Sequence, residues 1–273
     1  MLAWAATRHA RQSAGLGARL FHDERWFHCI DDVCVPERGG FQYFANSPDI
    51  WRQSLAIQLR NAEDYWFHVY RPQPGHVIVD IGAGGLGIDI LAFSKAVGPR
   101  GRVVAVEAHP LGAGLLARFC RLNDLANVTT VHGAVSDRPG VVQIADLDEH
   151  EANMIDPVAP SATSTFDVAA STFDDFCAAQ GISRIDFLKM NIEGAEQLAI
   201  RGMSTMIGRI GHVCIACHDF RSDRGEGEFF RTRQTVIAFL RDHGFEVVER
   251  ADDARDYVRD HVHAFRAADR AGT

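Results

Sequence analysis

Val77-Ile78-Val79-Asp80-Ile81-Gly82-Ala83-Gly84-Gly85-Leu86-Gly87 decides how this chain folds. A short apolar run carries an acid near its end, a glycine-dense turn follows, and a helical pattern begins at Leu86. This is a strand, a turn and a helix, arranged to bring main chain close to a ligand. Glycines at 82 and 84 leave no Cβ in the way and permit positive φ. The helix start beyond them offers unpaired main-chain N–H groups. The next apolar run, Arg102-Val103-Val104-Ala105-Val106-Glu107, also ends in an acid. A carboxylate there can accept hydrogen bonds from both hydroxyls of a ribose. Together the two runs predict a site for a nucleoside-bearing cofactor.

Two cofactors fit that description. Gly82, Gly84 and Gly87 satisfy G-x-G-x-x-G, with an acid about 20 residues further on, so a nicotinamide dinucleotide and an oxidoreductase are one reading. Asp80 separates the alternatives. An acid at the mouth of the turn repels a pyrophosphate and attracts the sulfonium and ammonium groups of S-adenosyl-L-methionine. The D-x-G-x-G run from Asp80 to Gly84 therefore predicts S-adenosyl-L-methionine, contacted by Asp80, Gly82, Ala83, Gly84 and Glu107.

Outward from this unit, strand and helix patterns alternate. Before it, Ser47 and Pro48 make a good helix start. Trp51, Leu55, Leu59, Ala62, Trp66 and Val69 recur at helical spacing until Pro72 and Pro74, which predicts a helix over 47–70 that packs on the first strand and covers the cleft. After it, strands are expected at 76–80, 102–107, 128–132, 184–190, 212–217, 245–250 and 261–266, with short edge strands at 141–145 and 166–169. Helices are expected at 86–97, from Pro110, at 172–179, from about Glu193 and at 229–243. The short link between the last two strands suits an antiparallel hairpin. The whole reads as a Rossmann-like, doubly wound α/β sheet, mostly parallel, with an antiparallel C-terminal hairpin. Ligands in such sheets sit at the carboxyl ends of the parallel strands. Those ends are Asp80, Glu107, residues 132–136, 191–193, and His218 with Asp219; the link 251–260 borders the same rim.

Composition narrows the partners. The chain has 273 residues, 47% of them hydrophobic, and a formal net charge of -8. It lacks the basic face that nucleic acid or an anionic membrane surface requires. No apolar run is long enough to span a bilayer. Met1 to Leu20 carries Arg8, Arg11 and Arg19 among alanines and does not read as a signal peptide. The six cysteines show no disulfide-framework spacing, so a reduced, cytoplasmic protein is expected. Cys214-Ile215-Ala216-Cys217-His218 matches the haem attachment pattern, but a strand points residues three apart to opposite faces, so the thiols diverge. Cys29 and Cys34 are too far apart for the usual close zinc pair, and His261 and His263 read as structural, so no metal is expected.

Five segments resemble the FkbM-type methyltransferases. They are the Asp80 turn; Val106-Glu107-Ala108-His109-Pro110; Ala134-Val135-Ser136-Asp137; Phe187-Leu188-Lys189-Met190-Asn191-Ile192-Glu193-Gly194-Ala195-Glu196 followed by Arg201-Gly202; and His218-Asp219. The fourth is the most specific. The resemblance covers roughly 75–218 and implies a sheet of the class I methyltransferase type; with the strand and helix pattern it gives a methyltransferase domain over 75–273, preceded by an extension at 1–74 that carries the capping helix. It implies methyl transfer from S-adenosyl-L-methionine to a hydroxyl of a small molecule, sugar or lipid. Ala134 and Ser136 would border the adenine, and Asp219, Tyr257 and Arg259 would meet the acceptor. His218, Glu193 and Asn191 would form the catalytic group. An aspartate is more usual at 191; asparagine can orient a hydroxyl or the cofactor's amino group but cannot take a proton. His218, with an ordinary pKa near ~6.5, is the expected base. A cofactor-binding module without catalysis is the remaining alternative.

Overall fold

The computed structural model describes residues 19–23, 25–30, 32–36, 48–145 and 165–266. The chain opens with a small antiparallel meander of β1 (Arg19–Asp23), β2 (Arg25–Ile30) and β3 (Val33–Pro36), then α1 (Pro48–Trp66). The α/β units follow: β4 (Val77–Ile81), α2 (Ile88–Val97), β5 (Arg102–Glu107), α3 (Pro110–Leu122) and β6 (Val128–His132). Next come β7 (Ala134–Val135), β8 (Gly140–Ala145), β9 (Thr165–Ser171) and α4 (Phe173–Ala179). The last part holds β10 (Ile185–Met190), α5 (Glu196–Arg201), β11 (Ile210–Ala216), α6 (Asp219–Asp223), α7 (Arg233–Asp242), β12 (Phe245–Glu249), α8 (Asp256–Arg259) and β13 (His261–Arg266).

The central sheet has seven strands in the order β12-β13-β11-β10-β4-β5-β6. β11, β10, β4, β5 and β6 are parallel, and β13 runs antiparallel between β11 and β12. From β4 the chain builds outward to β5 and β6, then returns to β10 on the other side. That reversal opens a crevice over the carboxyl ends of β4 and β10. The expected doubly wound sheet with its antiparallel hairpin is therefore present.

Period-two alternation divides the core into two layers. Val79, Ile81, Val104, Leu188, Met190 and Val213 pack on one face, and Ile78, Val103, Phe187 and Cys214 on the other. Cys217 belongs to the first layer and Cys214 to the second, so the two thiols of the haem-like pattern do diverge.

Four features differ from the sequence expectation. The segments around 141–145 and 166–169 are not edges of the main sheet; β8 and β9 join β7 in a separate sheet of order β7-β9-β8. α7 starts at Arg233 rather than 229, because Asp219 Oδ2 accepts from the N–H groups of Thr232 and Arg233 at 2.9 Å and fixes the helix start there. α1 ends at Trp66, ahead of the expected limit at 70; its start at Ser47 and residues 1–18 lie outside the described residues. Finally, Cys29 and Cys34 form a disulfide across the β2–β3 hairpin, which corrects the expectation of a fully reduced chain. Asn123, at the end of α3, clamps this hairpin: Cys34 N–H donates to its Oδ1 and its Nδ2 donates to Cys34 O, both at 2.8 Å. Among the described residues, no helix is long and apolar enough to cross a membrane.

Candidate active site

A cavity of about 480 Å³ lies over the carboxyl ends of β4, β5, β10 and β11. The glycine turn after β4 forms its floor. Gly82 and Gly84 have φ of 77° and 67°, values that L side chains rarely adopt. Their neighbours differ. A Cβ on Gly82 would lie 1.9 Å from the Asn191 carbonyl oxygen, whereas one on Gly84 would meet nothing within 4 Å. Gly82 thus lets β4 and β10 approach, and Gly84 opens onto the cavity.

Glu107 stands beside the turn with both oxygens held. Oε2 accepts from Gly84 N–H and Oε1 from His109 N–H, each at 2.8 Å. Burial raises its pKa and the two N–H groups oppose that rise. Each carboxylate oxygen has further lone pairs, so the anchoring leaves acceptor capacity toward the cavity.

Asp80 is placed differently from the expectation. It is fully buried behind the turn and does not line the cavity. Its Oδ1 lies 2.8 Å from Lys189 Nζ, which also donates to the Gly82 carbonyl at 2.7 Å. Burial pushes its carboxyl up to about 6 against the pull of Lys189. The acid therefore shapes the turn through Lys189 instead of facing a cationic ligand.

The segment after β10 supplies the opposite wall. Asn191 N–H donates to Ile81 O at 2.9 Å, while its buried Oδ1 has no hydrogen-bond partner among the described residues. Glu193 precedes α5 rather than starting it and carries φ of 53°, a strained value for a residue with a side chain. Its Oε2 accepts from Arg221 at 2.6 Å, and its Oε1 lies 3.2 Å from His218 Nε2. His218 Nδ1 in turn lies 3.1 Å from Oε1 of the buried Glu196. Burial opposes charge on His218, but Glu196 and Glu193 outweigh it and push the imidazole up to about 10. Burial likewise opposes charge on Glu193, and His218 and Arg221 hold it below its ordinary value. The expectation of a histidine titrating near ~6.5 is thus corrected: His218 is an imidazolium at neutral pH, flanked by two carboxylates.

Of the other expected site residues, Ala83, Ala134 and Tyr257 line the cavity. Ser136 does not: it is buried, and its Oγ meets Asp137 at 3.4 Å. Asp219 serves as the cap of α7 described above, and Arg259 lines a separate cavity of about 430 Å³ beside α8. The structure adds residues that sequence reasoning left aside. Tyr65 and Trp66 of α1 and His261 of β13 form an aromatic wall, with Trp66 and His261 stacked at 5.0 Å between ring centroids. The Tyr65 and Tyr257 hydroxyls are 3.4 Å apart across the rim. The helical spacing of the tryptophan was visible, but only the return of β13 beside β11 brings His261 to it.

A glycine turn, a backbone-anchored acid on the adjoining strand and a sheet reversing at that point form the frame of a nucleoside-cofactor site in a doubly wound sheet. The Methyltransferase FkbM domain family matches residues 80–247, and the chain belongs to this family of S-adenosyl-L-methionine-dependent enzymes. The chain is 24% identical over 228 residues, 73% of its own length and 84% of the other's, to 31-O-demethyl-FK506 methyltransferase FkbM of Streptomyces tacrolimicus. Among solved structures, methyltransferase FkbM of Methylobacillus flagellatus KT is similar with a TM-score of 0.44 and 14% identity, over 80% of this chain and 60% of that one. Aeropyrum pernix fibrillarin in complex with natively bound S-adenosyl-L-methionine gives a TM-score of 0.45 and 15% identity, over 95% and 86%. Membership of the family makes the enzyme class methyl transfer and not nicotinamide redox chemistry.

Proposed function

We propose that the chain seats S-adenosyl-L-methionine across the carboxyl ends of β4 and β5 and methylates a hydroxyl of a small molecule, sugar or lipid. The observation that carries this is Glu107, fixed by two main-chain N–H groups beside the open face of Gly84. An acid so held meets ribose hydroxyls without further reorganisation. Two more features fit the cofactor: Asn191 Oδ1, without a partner among the described residues, suits its amino group, and Ala134 lies at the β6 end where its base would rest. The bound cofactor supplies an electrophilic sulfonium methyl. The N-terminal segment 1–74 contributes the capping helix α1, whose Gln58, Asn61, Tyr65 and Trp66 close the cavity from above.

The acceptor lies between Glu193 and the aromatic rim of Tyr65 and Tyr257. Most of the rate enhancement comes from holding the hydroxyl in line in a partly closed cavity. The hydroxyl proton goes to the Glu193–His218–Glu196 cluster as a unit. His218 already carries its proton, so Glu193, which lines the cavity, receives the acceptor's hydrogen bond, and His218 sets its orientation and charge.

Incubation with S-adenosyl-L-methionine and matched alcohol and amine acceptors tests this reading. Methyl ethers and stoichiometric S-adenosylhomocysteine are expected. Methylated amines alone would overturn the hydroxyl assignment. Binding without turnover on any acceptor would favour a non-catalytic module.

A further inference from the structure

Cys214, His261 and His263 meet in the core between the sheet and the end of α1. Cys214 of β11 and His263 of β13 are directly paired across the strands, and His261 lies two residues along the same face of β13. One potential ligand atom from each falls within 4.8 Å of the others, and all three residues are buried. Their present contacts are weak: Cys214 Sγ to His263 Nε2 is 3.8 Å, and Cys214 Sγ to the Tyr65 carbonyl is also 3.8 Å. Two imidazoles are unusual occupants of an apolar layer, because buried polar groups cost stability unless fully partnered.

We infer that Cys214, His261 and His263 form a binding site for a zinc-type divalent ion that pins α1 to the sheet. The residue types match that ion, which takes thiolate and imidazole ligands. A tetrahedral ion holds such donors about 3.3–3.7 Å apart, so small side-chain rotations close the observed spacing. The end of α1 adds an oxygen donor. Tyr65 lies in its last turn, where carbonyls lack intrahelical partners and carry the negative end of the helix dipole. That carbonyl lies 3.4 Å from His261 Nδ1, beside the cluster, and is the fourth donor. The exposed His68 lies beside the cluster, its ring centroid 5.3 Å from that of His263. Binding exchanges the Cys214 S–H bond for S–metal and releases the proton to solvent. The ion would fix Tyr65, Trp66 and His261 together and so set the acceptor wall, independently of which cofactor the cavity takes.

Cobalt(II) titration of the metal-stripped full chain tests this. Thiolate ligation gives an intense sulfur-to-cobalt absorption in the near ultraviolet and tetrahedral d–d bands in the visible. Both are expected in the wild type and in Cys120→Ser, which alters a buried free cysteine elsewhere. Both should be lost in Cys214→Ser and lost or shifted in His263→Gln. Zinc should also slow hydrogen exchange at the end of α1 in the wild type. A folded wild type without the sulfur-to-cobalt band would overturn the site, whatever the variants do. An unchanged band in Cys214→Ser would also overturn it, by assigning the ligand to another cysteine.

Discussion

His218 Nε2 lies 3.2 Å from Glu193 Oε1, so the imidazole that reads as a free base in the sequence is half of a buried ion pair. Its pKa near 10 has a direct consequence for stability. A group whose folded pKa is raised contributes stability that is complete below its unfolded value, near ~6.5 for histidine, and is lost as pH rises through the folded value. Melting temperature should therefore fall between about pH 6.5 and 10. His218→Gln should be less stable at neutral pH and should lack that slope. Equal slopes in the two proteins would mean that His218 is not charged in the fold.

In the metal-free chain, His261 titrates in the opposite sense. Burial pulls its pKa down to about 4. The folded chain then binds fewer protons than the unfolded chain between about pH 6.5 and 4, so stability is lost on acidification through that window. His261→Phe keeps a flat ring against Trp66 and removes the titrating group. Its acid-side melting profile should be flatter than that of the wild type, as scanning calorimetry at several pH values would show.

The two turn glycines should separate folding from binding. Gly82→Ala drives a Cβ to 1.9 Å from Asn191 O and should destabilise the fold by on the order of 2 kcal/mol or more. Gly84→Ala meets open space and bears only a left-handed backbone cost of about 1–2 kcal/mol. It should lose cofactor affinity with a small change in melting temperature. The reverse ranking would mean that Gly82, not Gly84, faces the ligand.

Glu193→Gln keeps the shape of the side chain but removes the charge that meets His218 and Arg221. Turnover should fall by ~10²–10⁴, with cofactor affinity nearly intact. Full activity would leave positioning alone as the source of rate enhancement.

The sheet was legible because its inner strands β4, β5, β10 and β11 are short runs of mostly apolar residues, and the Gly82 turn fixed the register of the first α/β unit. The β1–β3 meander was not, since its short strands alternate too briefly to stand out and draw support from Asn123, 89 residues from Cys34. Within the site, Gly84, Glu107 and Ala134 were readable as strand ends, because topology alone brings strand ends to the crevice. Asp80 and Ser136 share that address, yet their side chains turn inward. Side-chain direction at a strand end depends on partners such as Lys189, which lies 109 residues away in the sequence and 2.8 Å away in space. The same holds for His218: nothing local announces that Glu193 and Glu196 will face it from both sides.

Cofactor binding by wild type and Glu107→Ala, followed calorimetrically with S-adenosyl-L-methionine and with NAD, tests the central claim most directly. Charged hydrogen bonds are worth about 1.5–3 kcal/mol each, and the substitution also frees Gly84 N–H. The wild type should bind S-adenosyl-L-methionine and not NAD, and the variant should bind it about tenfold more weakly or worse. Affinity unchanged in Glu107→Ala, or a wild type that takes NAD and ignores S-adenosyl-L-methionine, would contradict the account.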